Sequence, residues 1–291
     1  RLDGRGGVAG RSAAEGRLHP REQPEEQSRH SPGWWCRQGS RHRRCQGRAR
    51  GERSPPSHVA DRRPGGGEAT ETAKFPARLR CPEGKALLLS EDPFRDFNKL
   101  TLFFKPFERA TSLIAPTAKI GENTIIQPGA FVGNHVVIGK NCLIHANVFI
   151  YDHCVIGDNV TIHAGTVLGA DAFYYKKRPE GFDKLKSGGR VVIEDNVDLG
   201  ALCTIDRGVT GDTTIKKGTK IDNQVHIGHD TVVGEKCLIA SQTGIAGCVV
   251  IENEVTIWGQ VGMTSGITIG EKAVILAQSG ISKSLEGGQT Y

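Results

Sequence analysis

The sequence lacks any apolar run of 18 residues, and this excludes a transmembrane helix, because a helix needs about 20 apolar residues to cross a bilayer. It also shows no recognisable signal peptide. The eight cysteines form no CxxC pair. Four of them occupy the small positions of the repeat described below, so we expect buried, reduced thiols, which fit a reducing cytoplasm.

From Ile114 onward the helical periods of 3.6 and 7 are absent as well, and an aliphatic residue instead returns at every sixth position. These positions are Ile114, Ile120, Ile126, Val132, Ile138, Ile144, Ile150, Ile156, Ile162 and Leu168, then Ile193, Leu199 and Ile205, then Ile215, Ile221, Ile227, Val233, Ile239, Ile245, Ile251, Ile257, Met263, Ile269, Ile275 and Ile281. A small residue usually stands two positions earlier, as Cys142 and Val225 do, and a glycine often follows. Such an internal repeat decides the architecture.

The hexapeptide repeat predicts an all-β fold, a parallel β-helix with three sides. Each hexapeptide forms a short strand and a corner, so three consecutive hexapeptides close one coil. The repeating aliphatic points inward and stacks on its counterpart three repeats away, and neighbouring coils bury each other's inner face. We expect the glycines to relieve crowding at the turns and to supply positive φ angles.

Residues 1–84 differ in composition from the rest of the chain. Residues 1–80 carry 18 basic and 9 acidic side chains, and 17 of the 18 are arginine, whereas the remainder carries 20 basic and 23 acidic ones. The segment has few aliphatic residues and no periodicity, so it cannot bury a core. Three interpretations are open: a disordered basic tail, a nucleic-acid-binding arm, and a non-native, frame-shifted sequence. We favour the third and predict no nucleic-acid partner.

Residues 85–110 look like the end of a small α/β module. Residues 86–89 predict a short buried strand, and Asp92 followed by Pro93 predicts the start of a helix. Phe94, Phe97, Leu100 and Phe104 form its apolar stripe, which we interpret as core packing. The β-helix is then expected over residues 111–291.

Two insertions interrupt the repeat, one over residues 170–192 and one around residues 208–212. Insertions in a repeat scaffold usually serve one face, often the binding face. The first combines aromatic and basic residues around Phe173, which suits contact with an acyl chain or an acidic partner; a solvated surface loop is the alternative.

The chemistry is expected at His229. In register, Ile227 points inward, so His229 faces outward with an imidazole near its ordinary pKa, suited to accept a proton. Gly247 follows three repeats later and should lie one coil above it with an accessible amide. A base beside an exposed amide is the minimum set for acyl transfer. Asp222 and Asn223 are candidates to orient the ring or the substrate.

A metal centre is not predicted. His226 and His229 are three positions apart, and His145 and His163 should stack at successive corners, but these histidines do not form a three-ligand set. Stacked corner histidines at a subunit interface are the simpler interpretation.

From about Lys85 to Tyr291 the chain resembles the UDP-3-O-acylglucosamine N-acyltransferases of lipid A biosynthesis. The segments that carry the resemblance are residues 169–173, the run 200–208 ending in Thr-Ile-Asp-Arg-Gly, the run 221–229 ending in His-Ile-Gly-His, and residues 258–262.

The resemblance implies a left-handed β-helix that assembles as a homotrimer, with active sites between neighbouring prisms. It implies transfer of a 3-hydroxyacyl group from acyl carrier protein to the 2-amine of UDP-3-O-acylglucosamine, without a cofactor. In this resemblance His229 is the general base and Gly247 the oxyanion donor. From their places in the repeat and in the first insertion, Asp222, Asn223, His226 and Phe173 are our substrate-binding candidates.

The chain departs from this family at three places. Many members carry a second active-site histidine where this chain has Gly266. The uridine-binding module expected before Phe104 is recognisable only at its end, in residues 85–110, and a C-terminal helical segment is expected beyond Tyr291. Two rivals remain open: the sister O-acyltransferase that acts on UDP-N-acetylglucosamine, and a catalytically silent β-helix.

Overall fold

The computed structural model describes residues 87–291. The described chain begins with helix α1 (Pro93–Phe104) and continues almost entirely as short strands. The strands are β1 (Lys119–Ile120), β2 (Ile125–Ile126), β3 (Phe131–Val132), β4 (Val137–Ile138), β5 (Leu143–Ile144), β6 (Phe149–Ile150), β7 (Val155–Ile156), β8 (Thr161–Ile162), β9 (Val167–Ala170), β10 (Tyr175–Arg178), β11 (Gly181–Lys184), β12 (Arg190–Ile193), β13 (Asp198–Leu199), β14 (Thr204–Asp206), β15 (Asp212–Ile215), β16 (Lys220–Ile221), β17 (His226–Ile227), β18 (Val232–Val233), β19 (Leu238–Ile239), β20 (Gly244–Ile245), β21 (Val250–Ile251), β22 (Thr256–Ile257), β23 (Gly262–Met263), β24 (Thr268–Ile269), β25 (Val274–Ile275) and β26 (Gly280–Ile281).

Three parallel sheets of eight strands form the sides of the prism, which confirms the predicted parallel β-helix. Face A contains β3, β6, β9, β14, β17, β20, β23 and β26; face B contains β1, β4, β7, β12, β15, β18, β21 and β24; face C contains β2, β5, β8, β13, β16, β19, β22 and β25. In uninterrupted coils, residues pair with their counterparts three repeats away, as Ile120 does with Ile138. The insertions widen this interval, so Ile156 pairs with Ile193.

The repeating aliphatic residues form the core. Every one from Val132 to Ile281 is buried, as are the residues two positions earlier from Ala130 to Ala273, including the free thiols of Cys142, Cys154, Cys203 and Cys237. The first coil is the exception: Ile114 and Ile120 are 41% and 40% exposed, because no coil of the described residues lies beyond them. Stacking with a neighbour on both sides is therefore what buries each inner residue.

Left-handed backbone at the corners comes from a different position than the sequence suggested. Of the glycines that follow an inward aliphatic, only Gly169 has a positive φ. The residue three positions after the aliphatic takes that conformation instead, as Asn141 does with φ 56° and Asp230 with φ 55°. A glycine such as Gly121 is needed for close stacking, since a Cβ there would lie 2.5 Å from the backbone carbon of Gly139.

Amide side chains line one corner between faces C and A. The side-chain nitrogen of Gln242 donates to the side-chain oxygen of Gln224 at 3.0 Å, and the same contact recurs from Gln260 to Gln242 at 2.7 Å and from Gln278 to Gln260 at 2.8 Å. His145 and His163 stack at another part of this edge with ring centroids 4.7 Å apart, as predicted.

Helix α1 begins where predicted. The side chain of Asp92 accepts a hydrogen bond from the backbone N–H of Arg95 at 3.3 Å, and Pro93 occupies the first turn. Phe94 is buried, but Leu100 and Phe104 are 42% and 74% exposed, so the predicted core stripe is only partly correct. The predicted strand is wrong for its described residues: residues 87–89 form no strand, and Leu88 is 72% exposed.

Ala86 and the whole segment 1–84 lie outside the described residues, so the interpretations of that segment stay predictions. Within residues 87–291, the structure has no helix with the length and apolar character that crossing a membrane requires.

Candidate functional site

Both insertions leave the prism at the same corner, between faces A and B. The first joins β9 of face A to β12 of face B and contains the hairpin β10–β11, while the second joins β14 of face A to β15 of face B. The turn with His229 and Asp230, between β17 and β18, lies on this same corner, hereafter the A–B corner. The prediction that insertions serve one face agrees with this placement.

His229 and Gly247 occupy equivalent positions of successive coils. A Cβ built on Gly247 would lie 2.5 Å from Nε2 of His229, so the imidazole rests directly against the glycine backbone. Within the described residues the Gly247 N–H makes no hydrogen bond. Gly247 is nevertheless a buried residue, whereas the sequence suggested an openly accessible amide.

The carboxylate that orients His229 belongs to Asp230. Its Oδ2 lies 2.9 Å from Nδ1 of the imidazole. The same carboxylate accepts hydrogen bonds from the backbone N–H groups of Val209 at 2.8 Å and Gly211 at 3.0 Å, both in the second insertion. Backbone N–H groups of the second insertion thus fix the position of the Asp230 carboxylate, and the carboxylate in turn orients the imidazole of His229.

The environment of His229 contradicts an ordinary pKa. The side chain is only 15% exposed. The hydrogen bond to Asp230, followed by the contact with Cys248, raises the pKa of His229 to about 9, against the opposing effect of burial. Burial alone would raise the pKa of Asp230, but hydrogen bonds from His229, Val209 and Gly211 outweigh it and lower that pKa. The resting pair is an imidazolium beside a carboxylate.

Tyr174 covers His229 from the first insertion, and no sequence pattern indicated this contact. The two ring centroids are 5.8 Å apart in an edge-on arrangement, and Phe94 of α1 lies behind Tyr174 at 6.3 Å. Phe173, the predicted contact, is 87% exposed and packs edge-on against Tyr175. Neighbouring residues of an extended loop point in opposite directions, which a pattern of aromatic residues does not resolve.

The other predicted residues lie apart from the ring. Asp222 and Asn223 are exposed on the corner between faces C and A, where the Asn223 side chain accepts from the N–H of Ala201 at 2.7 Å. They do not orient His229. His226 is exposed on face A, with Nδ1 2.8 Å from the hydroxyl of Thr204 and Nε2 3.9 Å from the carboxylate of Asp206.

Asp206 is buried between the two histidines. Burial raises its pKa, and the nearby charges of His226 and His229 oppose that shift. The Asp206 carboxylate is thus close enough to both the exposed His226 and the half-buried His229 for their charges to act on it.

A pocket of about 420 Å³ opens beside the first insertion, lined by α1, the A–B corner and residues 184–187. Lys184 forms an ion pair with Asp171 at 2.8 Å. Lys105, Lys186 and Arg207 also line the pocket, and none of them has an ion-pair partner among residues 87–291. Burial lowers the pKa of Lys105, and the charge of Arg207 lowers it further. Unpaired cations that repel one another favour an anionic ligand.

Gly266 lies one coil beyond Cys248 on the A–B corner. Its φ is +71°, and a Cβ built on it meets no atom within 4 Å. Cys248 and Asp230 adopt the same left-handed conformation one and two coils earlier, with φ of 61° and 55°. The space for a second histidine therefore exists, although this chain has a glycine there.

Known proteins share this architecture and sequence. The repeat described as "Bacterial transferase hexapeptide (six repeats)" matches residues 135–170 and 212–247. A Fusobacterium nucleatum protein named UDP-3-O-acylglucosamine N-acyltransferase is 48% identical over 180 residues, which cover 55% of this chain and 54% of that protein. A Helicobacter hepaticus protein of the same name is 57% identical over 134 residues, or 46% of this chain and 41% of that protein. The chain thus spans about half the length of these curated relatives or less.

Two solved structures with this fold are UDP-N-acetylglucosamine acyltransferases. The one from Bacteroides fragilis is 30% identical with a TM-score of 0.55, and the match covers 62% of this chain and 68% of that one. The one from Francisella novicida is 31% identical with a TM-score of 0.53, and the match covers 60% and 63%. The chain belongs to the hexapeptide-repeat acyltransferases, and its sequence is similar to the members named UDP-3-O-acylglucosamine N-acyltransferase.

Proposed function

We propose that the protein transfers a 3-hydroxyacyl group from acyl carrier protein to the 2-amine of UDP-3-O-acylglucosamine. The observation that carries this proposal is the imidazole of His229 lying against the backbone of Gly247, with Asp230 behind it at 2.9 Å. A base held by a carboxylate beside a free amide donor is what acyl transfer requires. The names of the curated relatives supply the substrate class.

In the proposed reaction, His229 in its neutral form accepts a proton from the substrate amine as the nitrogen attacks the thioester carbonyl. The carbonyl oxygen gains the negative charge and accepts a hydrogen bond from the Gly247 N–H. The carbon–sulfur bond then breaks, and the imidazolium returns its proton to the departing thiolate. Asp230 stabilises the imidazolium throughout, so the proposed attack is direct and needs no acyl-enzyme.

The basic pocket beside the first insertion supports a nucleotide-sugar substrate. Lys105, Lys186 and Arg207 offer positive charge that no carboxylate among residues 87–291 pairs with, and a diphosphate is the anion that a UDP-sugar brings. Hairpin β10–β11 and its flanking residues border both this pocket and Tyr174, so a substrate held there is close to His229. The helix and loop of residues 87–110 we interpret as the end of a uridine-binding module.

We further propose a homotrimer in the cytoplasm, with acyl carrier protein as the partner that delivers the acyl chain. Asp222, Asn223, His226 and Phe173 are exposed and remain candidates for substrate contacts, including contacts with the site of a neighbouring subunit. The reduced state of the buried thiols fits this compartment.

The test is a thioester-dependent acylation assay with two acceptors, UDP-3-O-acylglucosamine and UDP-N-acetylglucosamine. We expect activity with the first acceptor, and a fall of about 10²- to 10⁴-fold in His229→Ala, the usual contribution of a general base. His163→Ala, which changes an exposed histidine on another corner, is the matched control and should retain activity.

The solved structures named UDP-N-acetylglucosamine acyltransferase make O-acyl transfer the second candidate. Preference for UDP-N-acetylglucosamine would establish that alternative. Turnover of neither acceptor by a chain with a correctly folded β-helix would favour a silent binding scaffold, and full activity in His229→Ala would refute the assigned base.

A further inference from the structure

Three metal-ligand groups of different chemistry meet at the A–B corner. One ligand atom each from His229, Asp230 and Cys248 lies within 4.8 Å of the other two. Asp230 and Cys248 occupy the same position in successive coils, with φ of 55° and 61°. A comparison of the histidines alone does not reveal this combination, because only one of the three ligands is a histidine.

The coil stacking explains why these groups converge. The backbone N–H of Cys248 donates to the carbonyl oxygen of His229 at 2.7 Å, which fixes the two residues side by side. The carboxylate of Asp230 is held by backbone N–H groups of the second insertion, so its position does not depend on the imidazole alone. Cys248 is exposed, unlike the other described cysteines, all of which are buried. The cluster is therefore both built and reachable from solvent.

Imidazole nitrogen, thiolate sulfur and carboxylate oxygen are the three ligand types of zinc, which bonds to them at about 2.0–2.3 Å. Three protein ligands and an open fourth position are the arrangement of zinc sites that keep a water. Ligand atoms within 4.8 Å of one another need only small side-chain rotations to surround one ion. Thiolate in the set favours soft or borderline cations over magnesium and calcium.

We propose that His229, Asp230 and Cys248 form a binding site for a thiophilic divalent cation such as Zn²⁺, and that its occupation blocks the catalytic base. On binding, the ion displaces one proton from the His229 imidazolium and one from the Cys248 thiol, both of which are released to solvent, and it then accepts lone pairs from the imidazole nitrogen and the thiolate sulfur. The blocking effect rests on the proposed function, because it requires His229 to accept the substrate proton. The binding itself does not.

Metal binding is measured first, without substrate, on the full chain titrated with Co²⁺ and then with competing Zn²⁺. We expect a thiolate-to-cobalt charge-transfer band that saturates with one equivalent attributable to the cluster and is abolished by Zn²⁺. Cys248→Ser should remove that component, and His229→Gln should weaken Co²⁺ affinity by at least about tenfold. His145→Gln is the control, because His145 stacks with His163 at a different corner.

The sequence also contains Cys36, Cys45 and Cys81, whose thiolates can bind Co²⁺ as well. The test is therefore the difference in the charge-transfer band between the wild type and Cys248→Ser. A charge-transfer band unchanged by Cys248→Ser, or a Co²⁺ affinity unchanged by His229→Gln in a folded variant, overturns the site. Circular dichroism establishes that both variants keep the β-helix.

Inhibition is measured second. Micromolar Zn²⁺ should inhibit the acyl transfer of the wild type, EDTA should reverse it, and Cys248→Ser should resist the metal when the rate of each protein is compared with its own rate in EDTA. Binding without inhibition would leave the metal site in place and contradict the role of His229 as base. Equal inhibition of the wild type and of Cys248→Ser by Zn²⁺ would show that the proposed metal site does not cause the inhibition.

Discussion

At the scale of single residues, Asp230 changes what His229 can do. With a pKa of about 9, His229 is mostly protonated at neutral pH, so only a small fraction of the protein holds the base form. The strong ion pair orients the ring and prepares the site for the charged intermediate, but it limits the rate at neutral pH.

The raised pKa of His229 predicts how the rate of acyl transfer depends on pH. Since only neutral imidazole accepts a proton, kcat/KM for the acyl transfer should rise with pH, with a midpoint near pH 9, and level off above it. Asp230→Asn removes the main cause of the raised pKa, so the rising limb should move toward the ordinary histidine value of about 6.5. The pH profiles of both proteins give the measurement. The substrate amine also titrates, but it is common to both, so identical profiles would contradict the assignment.

The close contact between Gly247 and the imidazole of His229 predicts the effect of adding a side chain at position 247. A Cβ would lie 2.5 Å from Nε2 of His229, so Gly247→Ala should push the ring away and lower kcat by about 10²-fold, the effect of a displacement of about 1 Å. Stability should change little, because a side chain is the group that moves. Gly262→Ala is the matched control, since a Cβ there meets no atom within 4 Å. Equal activity in the two variants would show that the ring position does not matter.

At the scale of elements, ion pairs connect helix α1 to hairpin β10–β11. Arg178 donates to both carboxylate oxygens of Asp92, at 2.9 and 2.7 Å, and Arg95 donates to Asp183 at 2.8 Å. The Asn98 side chain also donates a hydrogen bond to the carbonyl oxygen of Lys184, the last residue of β11, and accepts one from the backbone N–H of Lys186. The helix thereby positions Tyr174 over His229.

Arg178→Ala tests the ion pairs between the helix and the hairpin. Removing the guanidinium releases Asp92, so amide hydrogen exchange in α1 and in the hairpin should become several-fold faster. The thermal unfolding of the β-helix should stay unchanged, because Arg178 is not part of the core that stabilises the coils. Lys99→Ala, which removes the exposed pair with Asp96, is the control and should leave exchange in the hairpin unaltered. Faster exchange across the whole β-helix would contradict a local role.

The elements differ in how well the sequence predicted them. The β-helix follows from one rule applied to many residues, because each inward aliphatic is buried by its copies in the coils above and below. The link between His229 and Gly247 followed from the same rule. Asp230 was missed because its orientation depends on N–H groups of the second insertion, which lies outside the repeat. Tyr174 was missed for the same reason: loop conformation is decided by α1 and the hairpin, and no period describes it.

At the scale of the whole molecule, face B carries an outward row of valines. The row consists of Val137, Val155, Val192, Val232 and Val250, with Thr214 between the third and the fourth. Val137 and Val250 are 39% and 40% exposed. The outward row of face A instead becomes glycine beyond His226, at Gly244, Gly262 and Gly280. A long apolar row of β-branched residues favours contact with another protein surface.

The valine row predicts where the proposed trimer assembles. Light scattering should give three times the chain mass of 31.4 kDa for the wild type. Val250→Asp should shift the protein toward monomer, because it places a charge in an apolar contact, whereas Thr256→Asp on face C should not. Since face B borders the A–B corner, its contacts place His229 at a subunit boundary, and dissociation should lower activity although the His229–Gly247 pair is intact. A trimeric Val250→Asp protein would move the interface to another face, and a fully active monomer would show that one prism suffices for the reaction.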